Sequence, residues 1–160
     1  MSEKKRIIVG ISGASGAIYG IRTLEVLRTV ADVETHLILS PSGAQTIAAE
    51  TELSLEQVRD RADVVHGFKD IGASISSGSF RASGMMVAPC SIKTLSGIAN
   101  SFADNLISRS ADVCLKERRP VVLLVRETPL QLQIFGNRHL PADFVGCDDF
   151  TLLRFKQWKQ

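Results

Sequence analysis

The sequence predicts an α/β fold in which a parallel sheet lies between two layers of helices. Short apolar runs alternate along the chain with segments of helical periodicity, the order that is typical of this class. The run at residues 121–125 (Val-Val-Leu-Leu-Val) contains no polar residue and is the most strongly apolar run of the chain. The run at residues 7–11 is rich in β-branched residues, which is typical of a strand buried on both faces. The run at residues 7–11 ends at a glycine-rich turn before a helical segment, which indicates a Rossmann-like or flavodoxin-like arrangement.

Composition narrows the possible classes of protein. The chain of 160 residues is 44% apolar, enough for one domain with its own core. A net charge of +2 without a basic block argues against a nucleic-acid partner, and no apolar run is long enough to span a membrane. Cys90, Cys114 and Cys147 are odd in number and widely spaced, and the three histidines share no ligand spacing. We therefore expect a cytoplasmic protein with reduced thiols and no metal ion.

The first strand leads into a turn of small residues, Ser12-Gly13-Ala14-Ser15-Gly16, and then into a helix. Such a turn aims backbone N–H groups and a helix N-terminus at one spot, which favours a phosphate. The glycine spacing is G-x-x-G-x-x-G, unlike the G-x-G-x-x-G of dinucleotide sites, and no Gly-Lys-Ser/Thr follows. The turn therefore predicts a site for a flavin nucleotide or another ligand with a single phosphate. The alternative is a tight turn in which glycine serves packing alone.

The remaining elements follow in order along the chain. Proline at residue 41 suits the first turn of a helix, and Ser54-Leu55-Glu56-Gln57 is a capping box that predicts a short helix to about residue 62. Residues 71–83 are rich in glycine and serine, which is typical of a surface or ligand-covering loop. We predict strands at 34–39, 64–65, 84–88 and 120–125, and helices at 18–27, 42–50, from 92, and at 105–116.

Polar residues follow the carboxyl ends of several predicted strands. These residues are 12–15, Ser40, 91–94 and the pair Arg126-Glu127. Parallel sheets bind ligands at this edge, so the convergence predicts a binding site there. Arg126 could hold a phosphate through two hydrogen bonds, with Glu127 as its partner or as an acid/base. A surface ion pair is the alternative.

Several single residues allow a simpler interpretation. Lys116 lies near a helix end, where cations are favoured by the helix dipole, and Glu50 is interpretable as a solvated carboxylate. The simpler interpretation of Cys90 is a small apolar thiol rather than a nucleophile. The simplest interpretation of His36 is a strand residue that faces outward. Ser91 is either a helix N-cap or a ligand donor, or both.

Together these segments resemble the flavin prenyltransferase family, the UbiX/Pad1-like proteins, over residues 9–16, 34–40, 73–80, 89–98, 111–120 and 126–130. The resemblance implies a reaction that joins the dimethylallyl group of dimethylallyl phosphate to N5 and C6 of reduced FMN. The product, prenylated FMN, would serve a UbiD-type decarboxylase, and no metal would be used. It also implies homo-oligomers built from trimers, such as a dodecamer, with the flavin between subunits.

The resemblance further implies roles for individual residues. FMN would be held by Gly13, Ala14, Ser15, Ser40, Ser91, Ile92, Lys93, Thr94 and Arg126. The prenyl phosphate and the reacting flavin edge would be surrounded by Ser15, Glu50, Arg109, Lys116, Arg126 and Glu127. Cations would stabilise the leaving phosphate, and a carboxylate would move protons. Residues 74–80 would close over the flavin and exclude water.

The resemblance ends at Leu130. Family members continue with a tyrosine and a basic residue that hold the prenyl phosphate, whereas the only tyrosine in this sequence is Tyr19. We interpret residues 1–130 as a flavin-binding α/β domain and residues 131–160 as its divergent tail, ending in an amphipathic turn or a partner-binding segment at 152–158. This tail predicts FMN binding with weak or absent prenyl transfer. An FMN-binding protein of the cysteine decarboxylase type is the alternative.

Overall fold

The computed structural model describes residues 4–126, 142–147 and 150–155, and a seven-stranded sheet forms the centre of this part of the chain. The strands are β1 (Lys5–Ile11), β2 (Val33–Leu39), β3 (Val64–His66), β4 (Ala82–Cys90), β5 (Val121–Val125), β6 (Ala142–Cys147) and β7 (Phe150–Phe155). The helices are α1 (Ala17–Arg28), α2 (Pro41–Glu50), α3 (Leu55–Arg59), α4 (Ile92–Ala99) and α5 (Leu106–Lys116), with a 3₁₀ turn at Ser74–Ser76.

The strand order is β3-β2-β1-β4-β5-β7-β6. The strands from β3 to β5 in this order are parallel, whereas β7 is antiparallel to both β5 and β6. The chain reverses its direction of winding between β1 and β4. Sheets of this kind bind ligands in the crevice beyond the carboxyl ends of the strands at that point. The predicted three-layer α/β fold is confirmed.

Two apolar clusters cover the two faces of the sheet. Ile8 and Val9 are neighbours in β1 and point to opposite faces, as alternation in a strand requires. Ile8 belongs to the cluster that includes α4 and α5, whereas Val9 belongs to the cluster that includes α1 and α2. Both side chains are fully buried. The prediction that this strand is buried on both faces therefore holds.

Strand β4 and the end of the tail differ from the sequence-based expectation. Strand β4 begins at Ala82 rather than residue 84, because Ala82 pairs with Arg6 of β1. Residues 150–155 form strand β7 rather than an amphipathic turn, and this strand pairs with β5 from Val121↔Phe155 to Val125↔Thr151. The tail therefore extends the sheet beyond β5. Trp158 and residues 131–141 lie outside the described residues.

Candidate functional site

Three helices begin at the carboxyl edge of the sheet beside the β1–β4 crevice. Helix α1 starts after Gly16, which has a left-handed backbone (φ 99°) that glycine adopts without strain. Helices α2 and α4 start after Ser40 and Ser91, whose hydroxyls accept from the N–H groups of Gly43 and Thr94. Each helix N-terminus carries a partial positive charge. Their convergence makes this edge attractive to an anion.

Ser12 links the turn after β1 to the start of α4. Its hydroxyl donates to the carbonyl of Pro89 and accepts from the N–H of Ser91, both at 2.8 Å. The side chain is 2% exposed. Ser12 therefore fixes the start of α4 against the turn after β1, and the exposed Ser15 is the serine of this turn that is accessible to a ligand.

The turn also packs tightly against α2. A Cβ atom at Gly13 would lie 2.3 Å from the Cβ of Ser42, a distance that no side chain can tolerate. Glycine is therefore required at this position for packing. Packing and ligand binding are compatible here, because the close approach brings the turn to the N-terminus of α2.

Glu50 lies at the same edge but is more than a solvated carboxylate. Its Oε2 atom accepts hydrogen bonds from the backbone N–H groups of Gly16 (2.9 Å) and Ala17 (3.1 Å). The carboxylate therefore occupies the N-terminus of α1, a favourable position for a negative charge. A bound phosphate at this edge would use the N–H groups of the turn and of α2 and α4 instead.

Helix α5 carries a group of charged residues that we name the α5 trio: Arg109, Asp112 and Lys116. The Oδ2 atom of Asp112 lies 2.8 Å from Nζ of Lys116 and 3.6 Å from the Arg109 guanidinium. The Asp112 side chain is 9% exposed, against 40% for Arg109 and 67% for Lys116. Both cations were predicted from the sequence, whereas the carboxylate was missed. Its spacing of three and four residues from them was the available signal.

The α5 trio extends away from the carboxyl edge of its own chain. Lys116 ends α5 shortly before the amino end of β5. The neighbouring Arg119 donates to the carbonyls of Gly78 and Phe80, which directly precede β4. Residues 74–80 thus lead to the amino edge of the sheet, so closure of this segment over a flavin stays a prediction and would involve the flavin of another copy. The predicted site residues fall at both edges.

The other predicted residues that the structure describes lie at the carboxyl edge. Ala14 belongs to the turn after β1, and residues 92–94 form the first turn of α4. Arg126 follows β5 directly and is exposed. Glu127 lies outside the described residues.

His36 is buried rather than outward-facing, so that interpretation was wrong. It is 4% exposed, and its Nδ1 atom lies 2.9 Å from Nε2 of His66, which β2–β3 pairing brings alongside. Its Nε2 atom lies 2.9 Å from Oε1 of Glu34. The ring also meets the edge of Phe80. The two histidines therefore form part of a packed polar cluster on the α4–α5 face.

This histidine pair predicts a loss of stability in mild acid. Burial, and then the charge of His36, lowers the pKa of His66 below its ordinary 6.5. The unfolded chain therefore takes up a proton before the folded protein does, and stability present above about pH 6.5 falls as the pH drops. Unfolding measured from pH 8 to 5 should show this fall, and His66→Gln should flatten it. An unchanged pH dependence in His66→Gln would contradict the assignment.

Cys90 is a buried thiol, which agrees with its interpretation as an apolar residue rather than a nucleophile. It is 0% exposed, and burial raises the pKa of the thiol far above its ordinary value. Within the part of the chain that the structure describes, no three acidic, cysteine or histidine side chains could together hold a metal ion. No helix among the described residues is long and apolar enough to cross a membrane.

A doubly wound sheet with an anion-attracting edge at its switch point defines a nucleotide-binding or flavin-binding α/β protein. The sequence model of the Flavoprotein family matches residues 1–137. Flavin prenyltransferase UbiX of Escherichia coli (strain K12) is 64% identical over 128 residues, which cover 80% of this chain and 68% of that protein. The chain therefore belongs to the UbiX family of flavin prenyltransferases, and the resemblance noted from the sequence is confirmed.

Two solved structures are also similar to this chain. One is AnUbiX (PadA1) in complex with FMN and dimethylallyl pyrophosphate, with a TM-score of 0.80 and 52% identity, covering 82% of this chain and 70% of that one. The other is a dodecameric FMN-dependent UbiX-like decarboxylase from Escherichia coli O157:H7, with a TM-score of 0.79 and 48% identity, covering 82% and 71%.

Proposed function

We propose that the protein is a flavin prenyltransferase that binds reduced FMN at the carboxyl edge of the sheet. It joins the dimethylallyl group of dimethylallyl phosphate to N5 and C6 of the flavin. The observation that carries the proposal is the convergence of the turn after β1 with the N-termini of α2 and α4 at the β1–β4 crevice, in a chain that belongs to the UbiX family. The alternative of a cysteine decarboxylase type is not favoured at this level of identity.

The residues at this edge fit a flavin phosphate. The turn at residues 13–15 lacks bulky side chains, and Gly13 leaves no room for one. The hydroxyls of Ser40 and Ser91 cap their helices, so we assign them the role of shaping helix N-termini whose remaining N–H groups face the ligand. Residues 92–94 and Arg126 complete the proposed binding set.

Reduced FMN, when bound, supplies the nucleophilic flavin positions. The chain's own groups would bind the second substrate and move protons. Arg109 and Lys116 are the proposed cations for the prenyl phosphate, because a leaving phosphate needs positive charge as its bond breaks. Ser15, Glu50 and Glu127 are the proposed proton-handling groups at the flavin edge.

We also propose that each site is shared between copies in a homo-oligomer built from trimers, such as a dodecamer. Helix α5 has 11 residues and rises about 1.5 Å per residue. Lys116 therefore lies about 15 Å along the axis from the start of α5, towards the amino edge. If Lys116 acts on a prenyl phosphate beside the flavin, it acts at the flavin edge of another copy.

Co-expression of two inactive variants tests this sharing. Ser15→Ala removes a group at the carboxyl edge, and Lys116→Met removes a group of the α5 trio. If the two edges come from different copies, roughly one site in four of a mixed assembly contains both wild-type residues. We expect activity to recover to about that fraction. No recovery, in mixed oligomers verified with two affinity tags, would contradict a shared site.

The proposal has three further parts: the recipient of the product, the division of the chain and the compartment. The product would pass to a UbiD-type decarboxylase. Residues 1–130 would act as the flavin-binding unit and 131–160 as a tail of the same domain, which the pairing of β7 with β5 supports. We place the protein in the cytoplasm, because Cys90 and Cys114 are free thiols.

Anaerobic incubation with reduced FMN and dimethylallyl phosphate, followed by mass spectrometry of the released flavin, tests the proposed activity. We expect a flavin heavier by one dimethylallyl group, and none when the prenyl donor is omitted. Long incubation would reveal slow turnover. Retained FMN without any prenylated product would favour the alternative of a flavin-binding protein that does not transfer prenyl groups.

A further inference from the structure

The α5 trio places one buried carboxylate between two exposed cations. Burial of a carboxylate is unfavourable unless charged partners compensate it, and Asp112 has two. Its spacing of three residues from Arg109 and four from Lys116 puts all the charges on one face of α5. The cations outnumber the carboxylate, so this face presents a net positive charge to solvent.

These ion pairs do not join α5 to another part of the described chain. Within the described residues, the ion pairs that the side chains of Arg109 and Lys116 make are those with Asp112. The trio differs in this respect from Glu25, which binds Arg22 on its own helix and Arg61 beyond α3. The Glu25 cluster thus links separate elements, whereas both ion pairs of Asp112 stay within α5.

We propose that Asp112 is a positioning residue that holds Arg109 and Lys116 where both can contact the prenyl phosphate. The inference rests on the proposed function, in which these cations stabilise the leaving phosphate. Asp112 itself would not touch the substrate. By restricting two long, flexible side chains to one arrangement, it would reduce the conformational freedom lost when the phosphate binds.

Two roles for Asp112 predict opposite effects of its removal: positioning the cations, or only lying near the phosphate site. A negative charge near a phosphate site repels the phosphate, so removing a bystander should tighten substrate binding. Removing a positioning residue should instead leave the cations misplaced. The loss should fall mainly on kcat, because the leaving phosphate gains charge in the transition state.

The test compares Asp112→Asn with a matched control, Glu25→Gln, which also removes a carboxylate charge between two cations. With saturating reduced FMN and varied dimethylallyl phosphate, we expect kcat/KM of Asp112→Asn to fall about 10-fold to 100-fold. FMN affinity should be unchanged, and Glu25→Gln should match the wild type. Asp112→Glu keeps the carboxylate and should lie between the wild type and Asp112→Asn.

An unchanged kcat in Asp112→Asn, with equal or tighter substrate binding, would overturn the proposal. If Asp112→Asn fails to fold, Asp112→Glu is the test. A lower kcat/KM than the wild type supports the proposal, and an unchanged kcat/KM overturns it. If the wild type forms no prenylated flavin, the proposed function fails separately. In that case, the affinity of the FMN-loaded protein for dimethylallyl phosphate, measured by calorimetry, tests the role of Asp112. If Asp112→Asn binds dimethylallyl phosphate more weakly than the wild type, the inference is supported. If the variant binds it equally or more tightly, or if the wild type does not bind it, the inference is overturned.

Discussion

Gly13→Val is expected to yield a protein that is purified without flavin. A Cβ atom at this position would lie 2.3 Å from the Cβ of Ser42 and 3.1 Å from its backbone carbonyl carbon. The turn must therefore move away from α2, which carries it out of the place where it would hold the FMN phosphate. Overpacking of this kind costs about 1–3 kcal/mol of folding stability. Flavin absorbance and an equilibrium titration with FMN measure the outcome.

Gly72→Val is the matched control, because the nearest atom to a Cβ there is 3.6 Å away. This variant should retain flavin as the wild type does. Combining Gly13→Ala with Ser42→Gly removes the clashing Cβ atom and should restore part of the FMN affinity that Gly13→Ala alone loses. A fully yellow Gly13→Val preparation would refute the placement of FMN on this turn.

The sequence predicted the parallel part of the sheet well, because local patterns determine those elements. The apolar runs of β1 and β5 define strands wherever they lie in the fold. The capping box at Ser54 is present with both hydrogen bonds, although its helix ends at Arg59, earlier than expected. Such signals depend on neighbours a few residues apart and need no knowledge of tertiary structure.

The site was predicted less completely, because it depends on contacts between distant segments. The burial of Asp112 and the pairing of His36 with His66 follow from how α5 packs and how β3 aligns with β2. Neither is visible in local periodicity. The position of residues 74–80 was available from connectivity, however, because a segment that directly precedes a parallel strand leads to that strand's amino end.

The tail forms a strand that its sequence pattern did not indicate. Residues 150–155 (Phe-Thr-Leu-Leu-Arg-Phe) lack strict alternation, yet they form β7 against β5. Pairing with an existing strand edge supplies backbone hydrogen bonds irrespective of side-chain pattern. In the register, Arg154 lies opposite Val122, about three residues or 10 Å from the carboxyl end of β5. Arg154 is therefore not level with Arg126.

We expect the divergent tail to separate FMN binding from prenyl transfer. The proposed FMN-binding residues all precede residue 131, so FMN affinity should equal that of full-length relatives. The resemblance implies that a tyrosine and a basic residue hold the prenyl phosphate in family members. The tail contains no tyrosine, and its basic residues lack the family's sequence context. Each missing charge-assisted hydrogen bond costs about 1.5–3 kcal/mol, which slows the reaction by about one to two orders of magnitude.

A chimera provides the matched comparison for this prediction. Residues 1–130 of this chain would be followed by the corresponding C-terminal part of the Escherichia coli relative, which is 64% identical over the matched region. Both proteins should bind FMN equally, because the proposed flavin edge is the same in both. The chimera should transfer the prenyl group faster, because the phosphate regains its two missing partners. Equal turnover by the wild type and the chimera would refute this prediction and would mean that residues 131–160 bind the prenyl phosphate by other groups.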